Sequence, residues 1–171
     1  MHCIFSGQYQ INAFVLEILK HGITCEHLDG FPRGHKLCRD FFATRIVRKN
    51  ESHIKAFASE CIDAVVVLSL FIDLVVEPAG TIPEHVRCFR LLEDIVKILF
   101  KPDDIMLNVD TLEETMRNHQ ERYNGLGYKQ IPTNHYTRHI VDCVRRFQLM
   151  ISCFSPERDH KNSKNIAKLV K

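Results

Sequence analysis

Three side chains in the C-terminal third have the types and spacing of metal donors. His135, His139 and Cys143 recur at i, i+4 and i+8, which on a helix aligns two imidazoles and a thiol along one stripe, and zinc accepts all three. The stripe spans about 12 Å of helix axis, too long for a single ion to be held by all of it. A His135/His139 pair would therefore need ligands from elsewhere in the chain. The plainer reading is three side chains that share a helix face. His2-Cys3 and Cys25-x-His27 are weaker pairings of the same kind, and no metal is assigned to this chain on its own.

Glu157 is a different kind of candidate. It lies in Ser155-Pro156-Glu157-Arg158-Asp159-His160-Lys161, with His160, Lys161 and Lys164 at i+3, i+4 and i+7 on one side of the helix that this segment predicts. Neighbouring cations keep a carboxylate ionised, the state in which it binds a divalent ion. Arg158, Lys161, Lys164 and Lys168 suit phosphate, through an attraction that does not read base sequence. The competing reading is an acid at a helix N-terminus with a solvated Glu157–Lys161 pair. No Gly-rich phosphate loop, Ser/His/Asp elbow or paired-carboxylate motif is present. A stand-alone hydrolase or nucleotide enzyme thus lacks support.

The elements that must position these residues read as helices. Gln8–His21 places Ile11, Val15, Ile18 and Leu19 on one stripe, with Gly22 as its stop. Gly30–Gly34 reads as a loop, and Lys36–Val47 as a short helix with Leu37, Phe41 and Ile46 inward. Phe42 and Ala43 leave the period of that segment ambiguous. Ser52 has the chemistry of an N-cap for a long helix from His53 to about Val76, ended by Pro78 and Gly80. Its centre is apolar all round, as for an element in the middle of a bundle. The β-branched Val65-Val66-Val67 is the best strand candidate but sits inside helical periodicity. Thr81 or Ile82, with Pro83, starts the next helix, which runs to about Phe100 and buries Val86, Phe89, Ile95, Ile98 and Leu99. Asp110 caps Thr111–Tyr123, and Asn124-Gly125-Leu126-Gly127 ends it. Asn134–Phe147 follows, and Ser155–Leu169 is the last helix. The fold class is all-α, an array of about seven helices in a single domain, with 1–147 as body and 148–171 as a basic C-terminal segment.

Composition agrees. Of 171 residues 45% are hydrophobic and 26% charged, an ordinary balance for a globular domain and too apolar for wholesale disorder. Seven Gly and six Pro argue against a turn-rich β-sandwich. The net charge of +2 conceals an asymmetry: residues 1–144 carry 16 basic against 19 acidic residues, and 145–171 carry seven against two. A basic tail on a mildly acidic body suggests a polyanion partner at that end. The seven cysteines are odd in number, with no Cys-x-x-Cys. The first 20 residues lack the basic start and apolar stretch of a signal peptide. Together these point to free thiols, most of them buried, in an intracellular compartment. The longest charge-free apolar stretch, Ala64–Ile72, is nine residues, about half of what a membrane span needs, so no membrane partner is expected.

The order of the short motifs resembles a known family. Met1-His2-Cys3 opens the chain. Much later come Asn134-His135-Tyr136-Thr137-Arg138-His139 through Arg145-Arg146-Phe147, then Cys153-Phe154-Ser155-Pro156-Glu157-Arg158-Asp159-His160-Lys161. This series resembles the C-terminal part of transposases of the CACTA (En/Spm) group. Those proteins have an Asp-x-Met-His element, a helical region, a His-Tyr-x-x-His-like segment ending in Arg-Phe-Gly, and a Phe-Glu-Arg-x-x-x-x-x-Lys helix. The resemblance implies a cut-and-paste DNA transposase: an RNase H-like fold with a helical insertion and three metal-binding acids. In this chain His2 matches the His of the first element, Glu157 the third catalytic acid, and Arg158 and Lys164 its basic positions. Two divalent ions, Mg²⁺ or Mn²⁺ in a complete parent enzyme, would activate a water or 3′-hydroxyl and stabilise the leaving oxygen.

The departures set the expectation. The family's Asp would fall two residues before Met1, its first catalytic Asp further upstream, and Ser155-Pro156 replaces the aromatic that commonly precedes Glu-Arg. Glu157 alone cannot hold two metals. The chain is therefore expected to be a transposase remnant, inactive by itself, with weak non-specific DNA binding and a nuclear address if the resemblance holds. Two alternatives stand beside it. One is a helical protein-interaction module, self-associating or joined to a missing N-terminal domain through apolar surface left uncovered. The other is a small metal protein built on His135 and His139.

Overall fold

The computed structural model describes residues 2–31, 37, 40–46, 54, 56–101, 104–128 and 132–147. Among them are seven α-helices and no strand: α1 (His2–Lys20), α2 (Cys25–Gly30), α3 (Phe41–Ile46), α4 (Ala58–Phe71), α5 (Pro83–Leu99), α6 (Val109–Gly125) and α7 (Pro132–Phe147). The all-α class is as the periodicity predicts, but these are not the same seven elements. α2 lies where no helix was expected, and the 155–169 helix falls outside the described residues.

α1 buries the expected stripe of Ile11, Val15 and Ile18 and ends where Gly22 takes a φ of +83°, a conformation open to glycine at little cost. Thr24 then caps α2. Its hydroxyl accepts the His27 N–H and its own N–H is accepted by His27 Nδ1 at 3.1 Å. Capping here is reciprocal, with an imidazole in the role that Glu or Gln usually takes. α3 is only six residues long, too short to persist alone. Asp29 of α2 supplies what it lacks: Oδ1 accepts from the Phe42 amide at 3.0 Å and Oδ2 from the Ala43 amide at 2.8 Å. The ambiguity between Phe41 and Phe42 resolves because both are buried, their rings edge-to-face at 5.2 Å.

The long central helix starts later than Ser52 suggested. α4 begins at Ala58, where the Glu60 carboxylate accepts the Phe57 amide at 2.7 Å; Ser52 lies outside the described residues. The Val65–Val67 trio is helical. After Phe71 the backbone loosens into one π-helical turn, Ile72–Val76, and stops at Gly80 with φ +65°. Arg90 of α5 fastens this turn. Its guanidinium donates to Ser69 Oγ at 2.8 Å and to Glu93 at 3.0 Å, pairs with Asp73, and lies 3.3 Å from Glu77.

Two apolar cores result. The larger joins α1 to α4 and the first half of α5, and the smaller joins Ile95, Ile105, Val109, Leu112, Val141 and Val144. α5 spans both, so burying its one amphipathic face links them. Each fully buried Ile, Leu or Phe of this kind contributes roughly 1.5–3 kcal/mol before conformational entropy is subtracted.

Candidate functional site

The residues that sequence reasoning singled out do not converge among the described ones. His2 and His135 lie in α1 and α7. His139 is exposed on α7, with Nδ1 3.7 Å from Asp142 Oδ2, and Cys143 beside it is exposed too. Both face solvent rather than the core. Glu157, Arg158, Lys161, Lys164 and Lys168 lie outside the described residues. No group of three or more His, Cys, Asp or Glu among the described residues is placed to hold a metal ion.

Seven of the described cations of the body pair with its own acids. Lys20, Arg45, Arg87, Arg90, Lys97, Arg122 and Arg145 each lie within 4 Å of a carboxylate. Arg145 is the sharpest case. It reads from sequence as part of the basic end, yet it reaches across to Asp110 at 2.7 Å and Glu113 at 2.6 Å on the first turn of α6. Asp110, expected to cap α6, instead sits inside it, and Asn108 takes the N-cap position. Arg146 lies 5.6 Å from the centre of the Phe147 ring.

Sequence reasoning missed a polar-aromatic pocket between α1, α5 and α6. His85 and Cys88 come from successive turns of α5, His119 and Tyr123 from successive turns of α6, and Gln10 and Phe14 from α1. Tyr128 arrives by a helix stop. The Gly127 N–H donates to Asn124 O at 2.9 Å and the Tyr128 N–H to Tyr123 O at 3.4 Å. This is a Schellman motif with glycine at φ +75°. The reversal lays the Tyr128 ring 4.9 Å from that of Tyr123 and edge-on to His85 at 5.8 Å, while His119 stacks on Tyr123 at 5.9 Å. The space enclosed, about 230 Å³ with its open mouth, has room for little more than a water-sized molecule. Gln10 Oε1 and the Tyr128 hydroxyl are buried there without a hydrogen-bond partner.

Burial sets the chemistry of the pocket. It lowers His119 to a pKa of about 4, raises the Cys88 thiol to about 11 and Tyr123 to about 12, and pushes Tyr128 upward as well. Each group is held in its neutral form at neutral pH. A buried thiol so raised supplies no thiolate nucleophile, and a histidine so lowered is a poor proton acceptor. The pocket thus presents neutral polar groups, two of them without a hydrogen-bond partner, among aromatic rings. The His-x-x-Cys spacing on α5 and the Gly127-Tyr128 stop were the sequence signals for it, but nothing local joins α5 to α6.

A third feature is an apolar stripe open to solvent. Val66, Leu70 and Leu74 recur every four residues along α4 and its π-helical turn, all exposed. The expectation of a helix buried all round is corrected here: Cys61, Ala64, Val65, Leu68 and Phe71 face the core and the opposite side does not. No described helix is long and apolar enough to cross a membrane.

No family model, curated protein or solved structure matches this chain.

Proposed function

We propose that this chain is a helical part of a CACTA-type DNA transposase, that it performs no strand transfer when assayed by itself, and that it holds DNA weakly through Arg158, Lys161, Lys164 and Lys168. One observation carries the DNA reading. The excess of positive charge belongs to the segment beyond α7: residues 1–147 carry 18 basic against 19 acidic side chains and residues 148–171 five against two, and seven described cations of the body, Arg90 and Arg145 among them, already lie against its own carboxylates. A phosphate backbone is drawn to that excess and releases counterions from it. The motif order from His2 to Glu157 supplies the family, and Glu157 takes the role of one metal-binding acid within a complete enzyme containing Mg²⁺ or Mn²⁺. The nucleus is the compartment this reading implies.

Fluorescence anisotropy of the full chain on duplex DNA across a salt series tests it. Affinity falls steeply with salt, and replacing the four tail cations by glutamine reduces the slope of log K against log salt by roughly 3–4. Affinity indifferent to salt, or unchanged by the four substitutions, overturns it.

The exposed stripe of Val66, Leu70 and Leu74 favours a second reading, a helical interaction module. Under it, Leu70→Asp with Leu74→Asp abolishes association in light scattering and leaves DNA affinity untouched. A wild-type chain monomeric at high concentration removes the self-association form of this reading.

A further inference from the structure

Two polar atoms in the pocket between α1, α5 and α6 lack what burial demands. Gln10 Oε1 and the Tyr128 hydroxyl are shut off from solvent, and no protein group among the described residues hydrogen-bonds to either. An amide oxygen or a hydroxyl left in that state costs free energy on the scale of a lost hydrogen bond. The surroundings hold the pocket's shape. Phe14, one helical turn beyond Gln10, stacks on Phe89 of α5 with ring centres 4.5 Å apart. Tyr128 is set by the stop at Gly127, and its ring lies against those of Tyr123 and His85. Turning its hydroxyl out to solvent would break both ring contacts.

The size and polarity of the pocket select its occupant. There is room for little more than one water-sized molecule. Among the described residues no Asp, Glu, Lys or Arg lines it, so an ion there would sit among aromatic rings without a counter-charge. A neutral molecule that both donates and accepts is what these walls accommodate. It donates to Gln10 Oε1, and the Tyr128 hydroxyl either gives or takes the second bond. The match holds whichever way the Gln10 amide is turned, because its Nε2 in the same place would need an acceptor.

We propose that this pocket is the binding site of one internal water molecule, hydrogen-bonded to the Gln10 side-chain amide and the Tyr128 hydroxyl, which ties α1 to the turn that closes α6. This goes beyond the DNA reading and does not depend on it. Two measurements on the full chain test it. Tyr128→Phe strips the water of a partner and lowers the folding equilibrium constant roughly fivefold in urea unfolding. A hydroxyl with no partner gives the opposite sign, so an unchanged or raised constant overturns the proposal. Oxygen-17 relaxation dispersion counts long-lived internal waters without interference from proton exchange. The unsubstituted chain holds one more than the double variant Gln10→Leu, Tyr128→Phe; equal counts overturn the proposal. Should the double variant fail to fold, a high-resolution crystal structure of the unsubstituted chain decides alone. A water peak within about 3.2 Å of both side chains supports the proposal, and a pocket without one overturns it.

Discussion

Acidification should destabilise this protein through His119, and the size of the effect follows from its burial. The imidazole is 5% exposed, stacked on Tyr123, and its pKa is lowered by burial from 6.5 to about 4. Between those two values the unfolded chain binds a proton that the folded chain refuses, so stability falls as pH falls. The full penalty is the shift multiplied by about 1.4 kcal/mol per pH unit, about 3 kcal/mol, fully developed near pH 4 and absent above pH 7. Most of it, about 2 kcal/mol, is lost between pH 7 and 4.5. That is a large fraction of the 5–15 kcal/mol typical of a domain. Carboxylates titrate in the same window, so the informative quantity is a difference. Urea unfolding of wild type and His119→Leu, followed by circular dichroism at pH 7 and 4.5, isolates the imidazole, because leucine has comparable bulk and no proton to exchange. The wild type should lose about 2 kcal/mol more than the variant on acidification. Equal losses would refute the reasoning, since His119 would then titrate alike in both states.

Three further outcomes follow from local geometry. Asp29→Ala removes the acceptor of two α3 amides and should cost about 1–2 kcal/mol in urea unfolding, with faster amide exchange at Phe42 and Ala43. Gly127→Ala should cost about 1 kcal/mol: a Cβ there meets no atom within 4 Å, so the penalty comes from φ +75° alone, and Gly127→Asn should recover part of it. Peptide-resolved alkylation at pH 8 should label exposed Cys143 rapidly and Cys88, whose thiol burial pushes up to about 11, only after unfolding; early labelling of Cys88 would show that the pocket opens.

Much of the helical order was legible because it rests on local signals. The Ile11–Val15–Ile18 stripe, the Pro83 start and the stop at Gly127 each depend on residues within a turn or two of one another, and the structure places all three as read. α2 was not legible because it is only six residues long and the capping box begun by Thr24 is completed by His27, a rare substitute for Glu in that role. The start of α4 moved from Ser52 to Ala58 because a good N-cap residue marks where a helix can begin, whereas Glu60 beside Phe57 decides where this one does. The candidate site was less legible still. His135 and His139 stood out for spacing on one helix, but His139 faces solvent.

The all-α class follows from periodicity alone, because a period of 3.6 residues over most of the body leaves no alternating run to make a sheet. The one-sided charge is likewise a sum over residues and needs no coordinates. Which polar groups meet depends on helix packing. His85, Cys88, His119 and Tyr128 belong to three separate segments and gather because α5 and α6 pack together and Gly127 turns the chain back. Packing also brings Arg145 against the acids of α6 and leaves one face of the apolar centre of α4 open to water. Periodicity records which face of a helix is apolar. What that face meets depends on neighbours that lie far away along the chain.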